Sequence, residues 1–207
     1  MQHRTVHTAI YNAMADWEVG FATAHINNGH WQRQPGHFQV ATVGETREPV
    51  TTMGGLRITP DVGLEQLRPA DSAMLILPGS DAWLTGGNVA FAQKAREFLE
   101  AGVPVAAICG ATAGLAAEGL LDDRDHTSNA AEILTATGYR GSDRYREQPA
   151  VTDVDLITAS GTAPVEFARE VLGRLDLYEP EVLESWYKLF GLRDPAGYHE
   201  LMAADAS

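Results

Sequence analysis

Apolar and polar positions along this chain switch repeatedly between a period of two and a helical period, and the switches mark out its elements. Thr5 to Tyr11 alternates and then turns apolar, which predicts a first strand. Asn12 to Ala15 turns the chain, and Asp16 stands as N-cap for a helix from Trp17 to about Asn27, stopped by Asn27-Asn28-Gly29. Phe38 to Gly44 predicts a second strand. Val50 to Ile58 carries Gly54-Gly55 in a β-like context and predicts a hairpin with a tight turn. Pro60 to Pro69 reads as a loop or a short helical piece. Ser72 to Leu77 is the cleanest buried strand, ending in the loop Pro78-Gly79-Ser80. Gly86-Gly87-Asn88 reads as a turn and an N-cap. Asn88 to Ala101 follows with Phe91, Ala95, Phe98 and Leu99 on one helical stripe.

Val103 to Ile108 predicts a short buried strand, and Gly110 to Glu118 a helix directly behind it. Thr127 to Thr137 predicts a further helix. Tyr145 to Ser160 predicts two short strands around Pro149, the better one spanning Val154 to Ala159. Ala163 to Leu175 is amphipathic, with Pro164 where a first helical turn tolerates proline. Glu179 to Leu192 and Pro195 to Ala204 predict two last helices. Trp186, Tyr187, Leu189 and Phe190 make the first of these apolar enough to dock on the body or on a second subunit.

Strands alternate with helices nearly throughout. That pattern predicts one α/β domain over residues 1–207, with a mostly parallel sheet covered on both faces. Ligands of such sheets bind outside the carboxyl ends of the strands. Asp16 and Glu18 after the first strand, Gly79 and Ser80 in the loop after Leu77, and Cys109 are expected on that one edge.

Cys109 is the only cysteine in the chain. It stands where a strand turns into a helix with almost no room between, the geometry of a nucleophile elbow. The new helix N-terminus would favour a thiolate. The competing reading is a buried, inert cysteine, a common state for this residue type. A single cysteine excludes an intramolecular disulfide and a cysteine-based zinc cluster, so a reducing, cytoplasmic compartment is expected. The N-terminus lacks the apolar core of a signal peptide.

The net charge of −13 argues against nucleic acid and anionic membranes as partners. A small-molecule substrate is the expected ligand. The remaining histidines show no metal spacing, and no cofactor or metal is expected. Trp17, Trp31 and Trp83 could line a pocket, but core or interface, where large aromatics usually go, is the preferred assignment.

Four segments together resemble the ThiJ/PfpI superfamily, the class I glutamine-amidotransferase-like proteins that include the parkinsonism-associated deglycase. Ala106 to Leu121, around Cys109-Gly110, resembles the family elbow and the helix behind it. Leu75 to Ser80 resembles the strand and loop whose backbone N–H helps form an anion pocket. Ala15-Asp16-Trp17-Glu18 occupies the place of the family's acidic residue, and Leu156 to Ala168 resembles its late strand and helix. The resemblance implies a flavodoxin-like three-layer sandwich, usually a homodimer. It also implies a reactive cysteine near a protonated carboxylic acid, open to oxidation. No glutaminase partner domain is present, which disfavours an amidotransferase proper.

Two positions depart from the family pattern. The acid is either Asp16 or Glu18, and Asp16 is preferred because it lies closer to the strand end. The family histidine downstream of the cysteine is matched either by His126, slightly early in the count, or by Asn129, which cannot serve as a base. The expected activity is that of a cysteine-dependent hydrolase, hydratase or glyoxalase-type enzyme. Cys109 would attack an electrophilic carbon, Asp16 would move a proton, and N–H groups of Gly110 and of Gly79 or Ser80 would hold the developing anion. The alternatives are a stress-response oxidation sensor using the same thiol without turnover, and a plain metabolite-binding module.

Overall fold

Seven strands form one sheet in the order β5-β2-β1-β6-β7-β9-β8 in a computed structural model that describes residues 3–204. The strands are β1 (Arg4–Ala9), β2 (Phe38–Gly44), β5 (Val62–Gly63), β6 (Met74–Leu77), β7 (Val105–Ile108), β8 (Ala150–Asp153) and β9 (Leu156–Ala159). All pair in parallel except β8, which closes one edge antiparallel to β9. A separate two-strand hairpin joins β3 (Val50–Thr51) to β4 (Arg57–Ile58). The central strands β6 and β7 are apolar at every position and buried throughout, as parallel strands covered on both faces must be.

Helices cover the two faces. On one lie α1 (Gly20–Asn27) and α5 (Pro164–Arg174), packed on each other, with α6 (Pro180–Phe190) and α7 (Ala196–Ala204) added outside. On the other lie α2 (Val89–Glu100) and α3 (Gly110–Ala117), with the short α4 (Ala131–Thr135) beside α3. The result is a flavodoxin-like three-layer sandwich. No helix of the described residues is long and apolar enough to cross a membrane.

The C-terminal hairpin is fixed through an aromatic cluster. Trp186 of α6 is fully buried, and its indole N–H donates to His25 Nε2 at 3.1 Å. The other nitrogen of His25 meets the Tyr178 hydroxyl at 2.9 Å. Phe21 and Phe190 pack against the Trp186 ring.

Four expectations need correction. The first helix starts at Gly20 rather than Trp17, behind a turn over residues 16–19, and Asp16 does not cap it. The Pro60–Pro69 segment contains the two-residue strand β5 before a 3-10 turn over Leu64–Gln66. The Thr127–Thr137 helix shrinks to α4. Thr127 is engaged elsewhere: its N–H donates to Thr158 Oγ1 at 2.9 Å and its hydroxyl to Gln148 O at 2.7 Å. The strand pair expected around Pro149 lies wholly after it, turning at Val154-Asp155.

Candidate active site

Strand order reverses beside β1, since β2 extends one side of it and β6 the other. Such a switch point opens a crevice at the carboxyl ends of the strands. Cys109 stands at that edge between the last residue of β7 and the first of α3, with φ 60° and ψ −129°. L-residues rarely adopt this conformation, and it persists only where the surroundings enforce it. The enforcement is visible. Cys109 N–H donates to Ala159 O of β9 at 2.9 Å, while its carbonyl accepts from the Thr112 N–H at 3.1 Å and hydroxyl at 2.6 Å. Thr112 is itself steadied by Ser128, 2.7 Å away. The side chain is half-buried and reaches a cleft of about 660 Å³ lined by Trp17, Glu18, Asn129, Ser160, Thr162 and Pro164 among others.

Two glycines press the thiol against an acid. A β-carbon on Gly79 would fall 2.6 Å from Cys109 Cβ and 2.8 Å from Glu18 Oε2. One on Gly161 would fall 2.8 Å from Cys109 Sγ and 3.0 Å from Glu18 Oε1. No side chain fits at either position. Glu18 is 1% exposed. Gly79 N–H donates to its Oε2 at 2.5 Å, and Oε1 has no donor of its own. The carboxyl and the Cys109 thiol lie side by side, both against the same two glycines.

Burial pushes the Glu18 carboxyl up to about 7, against the pull of the Gly79 N–H and the thiol. Burial also pushes the Cys109 thiol up to about 11; the Asn129 amide and the Gly110 N–H pull it down, and the negative charge of Glu18 adds to the rise. The helix N-terminus therefore does not yield a free thiolate, as the sequence suggested. Desolvation and a like charge outweigh it, and the two groups titrate as a pair.

The acid beside the sulfur is thus Glu18 and not Asp16. The turn over residues 16–19 sends Asp16 to the β3–β4 hairpin, where Oδ2 accepts from Gly54 N–H at 2.6 Å. Burial raises the Asp16 carboxyl, but the Thr52 hydroxyl and the Gly54 N–H outweigh it and hold the group below the usual range. It is kept ionised, away from the thiol.

His126 does not reach the cleft either. It is fully buried; its Nδ1 meets Arg124 O at 2.7 Å, its Nε2 meets the Tyr139 hydroxyl at 3.2 Å, and Tyr139 and Tyr145 pack edge-on to its ring. Burial lowers its pKa, so the ring is neutral. Asn129 stands at the sulfur instead. Its Nδ2 donates to Sγ at 3.2 Å, while Oδ1 accepts from Gly161 N–H at 2.8 Å.

The expected anion pocket is also rearranged. The Gly79 N–H is taken by Glu18. Ser80 is buried, and its hydroxyl accepts from Ala82 N–H at 3.1 Å. Gly110 lies against the Ser80 backbone, its N–H beside the sulfur. These three residues form the wall behind the thiol. The cleft itself is walled by Trp17, for which pocket lining was the less favoured reading, and by residues not singled out for the site: Ser160, Gly161 and Thr162 after β9, and Pro164. Trp17 is 53% exposed, with its indole N–H donating to Gly161 O at 3.1 Å, rather than part of a core. Ser160-Gly161-Thr162 repeats the grammar of Pro78-Gly79-Ser80, a glycine just past a buried strand, and that repetition is the signal that could have found it.

Fold and site together define an α/β protein with a cysteine elbow set over a buried carboxyl. The chain belongs to the DJ-1/PfpI family, whose model matches residues 4–174. It is 42% identical to the uncharacterized protease YoaZ of Bacillus subtilis over 98% of both chains. It is 26% identical to the glutathione-independent glyoxalase DJR-1.2 of Caenorhabditis elegans, over 68% of this chain and 75% of that protein. The crystal structure of a thiJ/pfpI family protein from Bacillus anthracis superposes with a TM-score of 0.91 at 40% identity, covering 99% of this chain and 98% of the other.

Proposed function

We propose that the chain is a cysteine-dependent enzyme acting on small carbonyl electrophiles, with glyoxalase-type conversion of 2-oxoaldehydes as its reaction. The observation that carries this reading is the buried Glu18 carboxyl, pushed up to about 7 and set beside the half-buried thiol of Cys109 in an open cleft. A carboxyl with a pKa near neutrality both takes and returns a proton at working pH.

Cys109 adds to the aldehyde carbon. The S–C bond forms, the carbonyl electron pair moves to oxygen, and the thiol proton passes through Glu18 to that oxygen. Glu18 then takes the C1 proton of the hemithioacetal and the resulting enediol is reprotonated at C2, leaving a thioester. Water cleaves the thioester to a 2-hydroxy acid and returns the thiol. Each group needed for proton movement is the Glu18–Cys109 pair. The glyoxalase name of the nematode relative supports carbonyl chemistry, and the protease name of the bacillary relative supports acyl chemistry at the same sulfur.

The test is conversion of methylglyoxal to lactate by the wild type, Cys109→Ser and Glu18→Gln. Turnover in the wild type that is lost in both variants is expected. Turnover surviving in Cys109→Ser overturns the assignment. Absence of turnover on any carbonyl, with rapid peroxide modification of Cys109, selects the sensor reading instead; the lack of a histidine among the residues lining the cleft is the observation that favours it.

A further inference from the structure

One large apolar ring in the site is fixed and yet uncovered. The turn over residues 16–19 sends Glu18 inward to full burial and its neighbour Trp17 outward, half-exposed. The indole is held in place, because its N–H donates to Gly161 O at 3.1 Å. Gly161 is also the residue that presses on Cys109 Sγ. Indole and sulfur thus flank one glycine, and a group carried by the carbon that meets the sulfur lies within reach of the ring. The polar part of the wall is engaged with itself. The Ser160 and Thr162 hydroxyls meet at 3.0 Å, and Asn129 turns its oxygen to Gly161 N–H and its amide N–H to Sγ. Pro164, in the first turn of α5, adds a second apolar surface. Among the residues lining the cleft Glu18 alone is charged, and no Lys, Arg or His stands there to pair a carboxylate or phosphate. The cleft of about 660 Å³ is far larger than a three-carbon aldehyde and lies in the range that takes whole ring-bearing ligands.

We propose that Trp17 is a specificity-determining residue: with Pro164 it forms an apolar subsite for a flat, uncharged substituent, so that the cleft prefers aryl-bearing 2-oxoaldehydes to methylglyoxal. This rests on the proposed carbonyl chemistry and names the class of carbonyl compound it serves. An indole already fixed by its hydrogen bond loses no rotamer freedom when a second ring packs on it, so the contact is retained as binding energy. The hydroxyls and the amide of the wall, satisfied by one another, offer a substituent no comparable polar contact.

Cys109 is the only cysteine, so alkylation reads this thiol alone. Iodoacetamide and iodoacetanilide lose the same iodide to the same sulfur and differ by one phenyl ring. The ratio of their rates, divided by the same ratio for N-acetylcysteine, cancels any change in the thiol itself and leaves the subsite. That ratio is expected to favour the anilide roughly fivefold in the wild type, to fall to about one in Trp17→Ala, and to recover in part in Trp17→Phe, which keeps a ring and loses the N–H to Gly161. A wild-type ratio near one, or a preference that Trp17→Ala leaves unchanged, overturns the subsite. So does a Trp17→Phe that restores none of it, which would assign the effect to the tether on Gly161. In turnover, the ratio of kcat/KM for phenylglyoxal to that for methylglyoxal is expected to drop by a similar factor from wild type to Trp17→Ala. Should the wild type convert neither aldehyde, the carbonyl reading fails and the substrate class with it, while the alkylation ratio still decides whether Trp17 forms an aryl subsite.

Discussion

Burial pushes both Glu18 and Cys109 toward their protonated forms, and the charge of Glu18 adds to the rise at the thiol, so the pocket takes on a single negative charge over a wide pH range. Below pH 7 both protons are in place and no base exists. Above it the pair carries one charge, and the second proton leaves only near 11. The value of kcat/KM for a 2-oxoaldehyde is expected to climb through pH 7 and stay level into the alkaline range. Glu18→Gln removes that rising limb along with most of the activity. A limb that survives the substitution would assign the titration to another group. Asp16 makes the contrast. Asp16→Asn keeps most of the contact to Gly54 at the hairpin, so activity should stay within about twofold of wild type while stability falls by about 1 kcal/mol. Parallel kinetics and melting of the two variants separate the carboxylates. Sequence proximity to β1 favoured the wrong one, because the choice depends on which way the turn over 16–19 rotates, and no side-chain period records that rotation.

At the scale of elements, His25 joins α1 to α6 and to Tyr178, and burial drives its pKa down to about 4. The neutral ring accepts from the Trp186 N–H, so protonation there removes an acceptor inside the aromatic cluster. The folded pKa lies below the unfolded value near 6.5, so stability from this contact is present above pH 6.5 and is lost as pH falls toward 4. Burial lowers His7 and His126 in the same direction. Thermal melts of the wild type at pH 7 and pH 4.5 should differ by about 2 kcal/mol more than those of His25→Gln, which keeps an acceptor without titrating. Equal acid sensitivity in the two proteins would remove His25 from the account.

The long elements of this fold are legible in the chain because each carries its own period. The runs through Met74–Leu77 and Val105–Ile108 are continuous because both sheet faces are covered. The stripe from Phe91 to Leu99 is helical because one side meets the sheet. β5 is not legible, since two residues at a sheet edge hold no period. The helix expected from Thr127 is overridden by tertiary partners for its first residues, Thr158 and Gln148. In the site, Cys109 and Gly79 follow from the strand–turn–helix pattern. Asn129 and Gly161 do not, because their meeting depends on how the α3–α4 connection and the end of β9 converge in space.

Over the whole molecule, the excess of acidic residues gives a net charge of −13, and the cleft adds an ionised Glu18 above pH 7. That field opposes anionic substrates and leaves neutral ones alone. Turnover of glyoxylate should be slower than that of methylglyoxal, and should rise as ionic strength goes from about 10 to about 150 mM, where the screening length shortens to roughly 8 Å. Methylglyoxal turnover should not respond. A matching salt response for both would rule out steering by net charge.

The left-handed backbone of Cys109 has its own consequence for heat tolerance. Glycine adopts φ 60° freely and alanine does not, so Cys109→Gly should melt about 2–4 °C above Cys109→Ala, about 1 kcal/mol at this chain length. Durability alone would favour the smallest residue at this corner, so the sulfur there stands at a cost in thermal endurance.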